Sequence, residues 1–149
     1  MAALTNIMHS LEIDQVCIVV KDMEKTVRQL SLIMNIGPFE IRETDLPDAI
    51  VHGRRTHVRA RRAYAMAGAI ELEVIEPGQG ENIYWEFLHS RGEGVHHFGI
   101  LVSDIESEIA RFEKHGIGVL HSADTPRTRL AYMDTEDLVG VILELRQRK

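Results

Sequence analysis

The chain repeats itself at an interval of 82 residues. Gln15-Val16-Cys17-Ile18-Val19-Val20-Lys21-Asp22-Met23-Glu24 is answered by His97-Phe98-Gly99-Ile100-Leu101-Val102-Ser103-Asp104-Ile105-Glu106. Each copy is an apolar run, then an aspartate, then an amphipathic stretch. A unit copied twice must fold twice and bury its open face against its twin, so the repeat restricts the fold more than any single motif. The run before each aspartate is rich in β-branched residues and predicts a buried strand.

Asp22 and Asp104 stand where helix N-caps belong. Met23, Val27, Leu30 and Met34 follow the first, and Ile105, Ile109 and Phe112 the second, at spacings of three and four that give one apolar face. Asn35-Ile36-Gly37-Pro38 and His115-Gly116 end these helices. The closing segments Glu71-Leu72-Glu73-Val74 and Leu143-Glu144-Leu145 also correspond. Two more strands fit between helix and closing strand in each half: Phe39–Glu43 and His57–Met66 in the first, Gly118–His121 and Leu130–Asp134 in the second. The chain therefore divides into a βαβββ module over 11–77, a connector over 78–94 and a second βαβββ module over 95–146, together one α+β domain. Ile83, Phe87 and Leu88 predict a short linking helix in the connector, where Tyr84 and Trp85 read as core or subunit contacts.

Composition narrows the partners. A net charge of −6 over 149 residues disfavours nucleic acid and anionic membrane surfaces. The apolar runs Val16–Val20 and Ala63–Ile70 are too short to span a bilayer, and MAALTNIMHS lacks the basic start of a signal peptide. The one cysteine, Cys17, has no partner for an internal disulfide. The expectation is a soluble cytoplasmic protein.

Three stretches carry a resemblance that spans about Leu11 to Arg146: Gly92-Glu93-Gly94-Val95-His96-His97-Phe98-Gly99; Glu71-Leu72-Glu73-Val74-Ile75-Glu76-Pro77; and Ala131-Tyr132-Met133-Asp134-Thr135 running on to Gly140-Val141-Ile142-Leu143-Glu144-Leu145. With the duplicated βαβββ unit they resemble the vicinal oxygen chelate superfamily, which includes glyoxalase I, extradiol dioxygenases and bleomycin-resistance proteins. The likeness is greatest to its methylmalonyl-CoA epimerase branch.

The resemblance implies a cupped mixed sheet and a divalent metal held by side chains from the first and last strands of each module. Matched motif by motif, these are Gln15, Glu73, His97 and Glu144. One imidazole and three oxygen donors suit Mg²⁺, Mn²⁺, Co²⁺, Ni²⁺ or Zn²⁺. A single histidine does not make the two-histidine facial triad of Fe(II) dioxygenases. His96, by strand alternation, is expected on the opposite face from His97. Cys17 shares the Gln15 face and reads as a small packing residue lining the cavity.

The implied chemistry is that of an epimerase, isomerase or lyase that abstracts a proton next to a carbonyl. Glu144 is the first choice for moving the proton and Glu73 the second. Epimerases of this branch carry a further glutamate in a short acidic motif followed by Gly-Val, which this chain lacks. Glu43, Asp45 and Asp48 are the nearest acids. Arg54, Arg55, Arg59, Arg61 and Arg62 crowd nine residues, either a solvated strand face or a clamp for a carboxylate or coenzyme A phosphates, with Arg59 and Arg61 as the expected substrate contacts. The substrate class is an acyl-CoA or a 2-oxo compound, and the resemblance implies a homodimer. The rival functions are a metal-free binding protein of the resistance type and a glyoxalase I-like lactoylglutathione lyase. His52 and His57 receive no role.

Overall fold

A computed structural model describes residues 11–149; the amino-terminal segment read above for a signal peptide lies outside the described residues. The first module runs β1 (Ile13–Val19), α1 (Met23–Met34), β2 (Glu40–Val51), β3 (Arg54–Ala67) and β4 (Ile70–Pro77). The linking helix α2 (Ile83–Arg91) follows. The second module runs β5 (Gly94–Leu101), α3 (Ile105–Glu113), β6 (Val119–Asp124), β7 (Thr128–Met133), the short α4 (Glu136–Val139) and β8 (Ile142–Arg148).

Both aspartates cap as their positions predict. Asp22 accepts from the Lys25 backbone N–H at 2.9 Å and Asp104 from that of Ser107 at 3.1 Å. Each bond satisfies one of the orphan donors at a helix start. Asn35 ends α1 in the left-handed conformation, with φ of 54°.

Within each module the first strand lies parallel to the last, giving the order β1-β4-β3-β2 and, equivalently, β5-β8-β7-β6. The modules join along β1 and β5, which run antiparallel. A second, short seam pairs Ile50 with Ser122 and Val51 with His121, so the curved mixed sheet closes into an eight-stranded barrel within one chain. That seam exists because β2 runs well past the expected Glu43. Pro47 lies within the strand, at a register shift between Leu46 and Ala49, where a residue without an N–H is tolerated.

The helices α1 and α3 pack on the outside of the barrel. Val27 and Leu30 meet Ala63 and Val74, while Ile105, Ile109 and Phe112 meet Ala131, Met133 and Leu145. Burying a side chain of the size of Ile105 or Phe112 stabilises the fold by about 1.5–3 kcal/mol. The third helix, α2, does something else. It sends Ile83, Tyr84 and Leu88 against the inward-facing Val19, Val58, Ala60, Ile75 and Ile142, plugging one end of the barrel. Trp85 is anchored beside it by its indole N–H, which donates to the Gly78 carbonyl at 2.7 Å. Among the described residues no helix is long and apolar enough to cross a membrane.

Candidate metal centre inside the barrel

Register decides which side chains meet. Across the β1–β5 seam Gln15 faces Gly99 and Cys17 faces His97. On their other sides Gln15 pairs with Glu71, Cys17 with Glu73, and Gly99 with Glu144. Directly paired residues share a face of the sheet. One layer of the inner wall therefore holds Glu71, Gln15 and Glu144, and the next holds Glu73, Cys17 and His97.

Three of the four residues implied as ligands converge. His97 Nε2 stands 3.4 Å from Glu73 Oε1 and 3.2 Å from Glu144 Oε2. All three side chains are buried, and among the described residues those three atoms have no hydrogen-bond partner. The fourth, Gln15, is buried in the adjoining layer; its amide donates to Glu71 Oε1 at 2.8 Å and its own carbonyl oxygen is unpartnered. Ligand atoms of Cys17, Glu73 and His97 lie within 4.8 Å of one another. Unpaired buried carboxylate oxygens are expensive, so this donor set fits a divalent cation, which would neutralise both carboxylates.

Neighbouring groups hold the cluster in place. Burial acts to raise the Glu73 carboxyl pKa, but the Arg62 guanidinium, followed by His97 and Tyr64, brings it below its ordinary value. For His97, burial disfavours the cation, yet Glu144 and Glu73 raise its pKa overall. Burial, with help from the Glu73 charge, pushes the Cys17 thiol well up.

His96 departs from the expected alternation. A register shift in the β1–β5 pairing between Cys17 and Ile18 leaves one extra residue in β5, a β-bulge that turns His96 inward beside His97. Their Nδ1 atoms are 2.9 Å apart, so one donates to the other. Burial, then the neighbouring His97, keeps His96 neutral by pushing its pKa well down. A neutral His96 accepting at Nδ1 holds a proton on His97 Nδ1 and turns His97 Nε2 toward the carboxylates, whose charge favours a proton there as well while no ion is bound. A metal ion at Nε2 would take the place of that second proton.

The arginine cluster divides by strand parity. Arg59 and Arg61 lie on the outer face, where Arg59 stands 3.8 Å from Asp45, and Arg61 lies 2.9 Å from Glu24 and 3.6 Å from Glu76. Arg62 turns inward. It donates to Glu73 Oε2 at 3.2 Å and to the Tyr84 hydroxyl at 2.9 Å, and Tyr84 meets the Tyr132 hydroxyl at 2.8 Å. Sequence reading placed Arg62 in the cluster without singling it out. The signal was Val58-x-Ala60-x-Arg62, which puts it on the apolar face.

The acids nearest the missing epimerase motif also stand apart from the cluster. Glu43 and Asp45 pair in register with Arg61 and Arg59, and Asp48 lies 3.5 Å from Arg55. The positions of the same stretch in register with the inward Arg62, Ala60 and Val58 are Arg42, Thr44 and Leu46. Surface hollows lie elsewhere too: one of about 590 Å³ along α2 is lined by Gly80, Asn82, Trp85 and His89. Toward the end of the barrel opposite α2, Glu71, Tyr64 and Arg146 are only partly buried.

Residues 14–132 match the sequence profile described as the glyoxalase/bleomycin resistance protein/dioxygenase superfamily. The chain belongs to that superfamily. Its vicinal oxygen chelate fold is the one built above from two βαβββ modules. Among curated proteins, the chain is 25% identical over 92 residues to the uncharacterized protein YqjC of Bacillus subtilis (strain 168). That match covers 58% of this chain and 64% of the relative.

Among solved structures, hypothetical protein BH1468 from Bacillus halodurans C-125 matches with a TM-score of 0.72 at 23% identity, covering 95% of this chain and 96% of the other. Methylmalonyl-CoA epimerase from Mycobacterium tuberculosis matches with a TM-score of 0.68 at 18% identity, covering 92% and 87%. A Glu-to-Gln variant of the Streptomyces coelicolor epimerase, in complex with 2-nitronate-propionyl-CoA, matches with a TM-score of 0.66 at 26% identity, covering 93% and 98%.

Proposed function

We propose that the chain is a divalent-metal-dependent isomerase or lyase that abstracts a proton from the carbon next to a carbonyl, on a substrate of the acyl-CoA or 2-oxo class. The observation that carries this reading is the convergence of Glu73, His97 and Glu144, three buried side chains whose facing atoms lack partners. These residues, with Gln15 beside them, would hold the metal. The ion supplies Lewis-acid stabilisation of negative charge developing on the substrate oxygen.

The chain's own groups do the rest. Glu144 takes the proton, since its Oε2 stands at the cluster without a hydrogen bond. Arg62 and His97 hold Glu73 ionised, which reserves Glu73 for binding rather than proton transfer. His96 fixes the His97 ring. The likeness to an epimerase solved with 2-nitronate-propionyl-CoA supports the acyl-CoA class. The outward, arginine-paired Glu43, Asp45 and Asp48 favour chemistry with one base on one face over epimerisation with two.

The test is hydrogen exchange. Metal-loaded protein is incubated in D₂O with a panel of 2-substituted acyl-CoAs and 2-oxo acids, and with the hemithioacetal of methylglyoxal to detect a glyoxalase. The expected result is deuterium at the carbon next to the carbonyl of one class, lowered roughly 10²–10⁴-fold by Glu144→Gln. Absence of both metal binding and exchange would overturn the reading in favour of a metal-free binding protein.

A further inference from the structure

We infer that Cys17 is a protein ligand of the metal, so that the site is a thiolate–imidazole–carboxylate centre selective for Zn²⁺, Co²⁺ or Ni²⁺ over Mg²⁺ and Mn²⁺. This inference rests on the metal-dependent reading above and specifies which ions the site takes.

The first observation is register. The pseudo-twofold passes by the Val16–Phe98 pair, so the equivalents Gln15 and His97 sit diagonally across the seam rather than directly opposite. The residue that faces His97 across the seam is Cys17, and the residue beside Cys17 on β4 is Glu73. Gln15 faces Gly99 and is tied by its amide to Glu71. The Cys17 sulfur thus completes a group with Glu73 and His97 in which ligand atoms lie within 4.8 Å of one another.

The second observation is independent of the cysteine. Glu73 Oε1 and Glu144 Oε2 lie 3.4 and 3.2 Å from His97 Nε2, and all three atoms are buried and without a hydrogen-bond partner among the described residues. Cys17, Glu73 and His97, from β1, β4 and β5, then supply three protein ligands, the number a catalytic tetrahedral centre uses, with the fourth position open to a substrate oxygen beside Glu144.

A thiolate in the set changes the choice of ion. Sulfur ligands favour zinc and the borderline metals, while Mg²⁺ takes oxygen ligands in near-octahedral geometry. Ligation breaks the Cys17 S–H bond, forms a sulfur–metal bond and releases the proton to buffer. Cys17 is the only cysteine in the chain, so any thiolate signal reports this position.

Titration of the metal-free full chain with Co²⁺ tests the assignment. The expected spectrum is a near-ultraviolet thiolate-to-cobalt charge-transfer band saturating at one equivalent, with intense visible bands of a four-coordinate ion, retained in a large excess of Mg²⁺. Cys17→Ser and Cys17→Ala lose the charge-transfer band, and circular dichroism establishes that each variant is folded. The wild-type spectrum stands by itself if neither variant folds. Visible cobalt bands without the charge-transfer band, or a band that survives in Cys17→Ser, would overturn Cys17 ligation and leave the metal-dependent reading standing. No cobalt spectrum and no thermal shift with Co²⁺, Ni²⁺ or Zn²⁺ would overturn both.

Discussion

Arg62 and Glu73 face each other inside the barrel, the guanidinium Nη1 donating to Glu73 Oε2 at 3.2 Å, with both side chains almost wholly out of water. A buried pair broken on one side leaves the other charge uncompensated, at a cost of about 3–5 kcal/mol. Arg62→Ala is therefore expected to destabilise the metal-free protein by about that amount, measured by urea unfolding. Arg62 also donates to the Tyr84 hydroxyl, so its loss loosens α2 as well. The double variant Arg62→Ala with Glu73→Gln should lose less than the sum of the two single changes, because neither then strands a charge.

The bare strand position Gly99 is a second point of tight packing. A Cβ there would stand 2.8 Å from Gln15 Cβ, 2.9 Å from Gln15 Oε1 and 3.0 Å from Arg146 Nη2. Gly99→Ala must displace the wall on both sides of Glu144 and is expected to cost about 1–3 kcal/mol. Gly118 offers the control, since a Cβ there meets nothing within 4 Å. Gly118→Ala should change the urea midpoint little, within about 0.5 kcal/mol.

The paired caps give a prediction with symmetry built in. Asp22→Ala and Asp104→Ala remove equivalent bonds at the starts of α1 and α3. Each should cost about 1 kcal/mol. The caps sit in different modules, so the double variant should show the sum within about 0.5 kcal/mol. Thermal or urea unfolding of the three variants reads this directly.

What the sequence disclosed follows from what repeats encode. The 82-residue offset identified equivalent strands and both caps, and matched motifs pointed to Glu73, His97 and Glu144. An offset names equivalents, however, and neighbours are set by register. Cys17 faces His97 only because β1 and β5 run antiparallel about the pseudo-twofold. The bulge that turns His96 inward has no local signature in Val95-His96-His97. Closure of the barrel was hidden by Pro47, which reads as a break yet sits inside β2. The helix α4 spans only Glu136–Val139, too short to show a periodicity. The inward turn of Arg62 was legible in principle, from its parity with Val58 and Ala60.

His121 gives the metal-free protein a pH dependence of definite sign. Its ring is wholly buried beside Tyr132, at a centroid distance of 5.0 Å, and neither nitrogen has a hydrogen-bond partner among the described residues. Burial, reinforced by the charges of Arg62, His97 and His52, pushes its pKa down to about 3. Below the ordinary value of 6.5 the unfolded chain takes up a proton that the folded chain refuses, so stability falls as pH falls from 6.5 toward 3. The slope for one such group is about 1.4 kcal/mol per pH unit. His97, whose pKa is raised, contributes stability that is lost as pH rises above its ordinary range, and Glu73, whose pKa is lowered, acts only in the carboxylate range. Neither masks the window from about pH 6.5 to 5, and the likewise depressed His96 adds a fall there that wild type and a His121 variant share. Urea midpoints across that window, with chelator present, should drop more steeply for wild type than for His121→Phe. Parallel slopes would show that His121 takes up its proton in the folded chain.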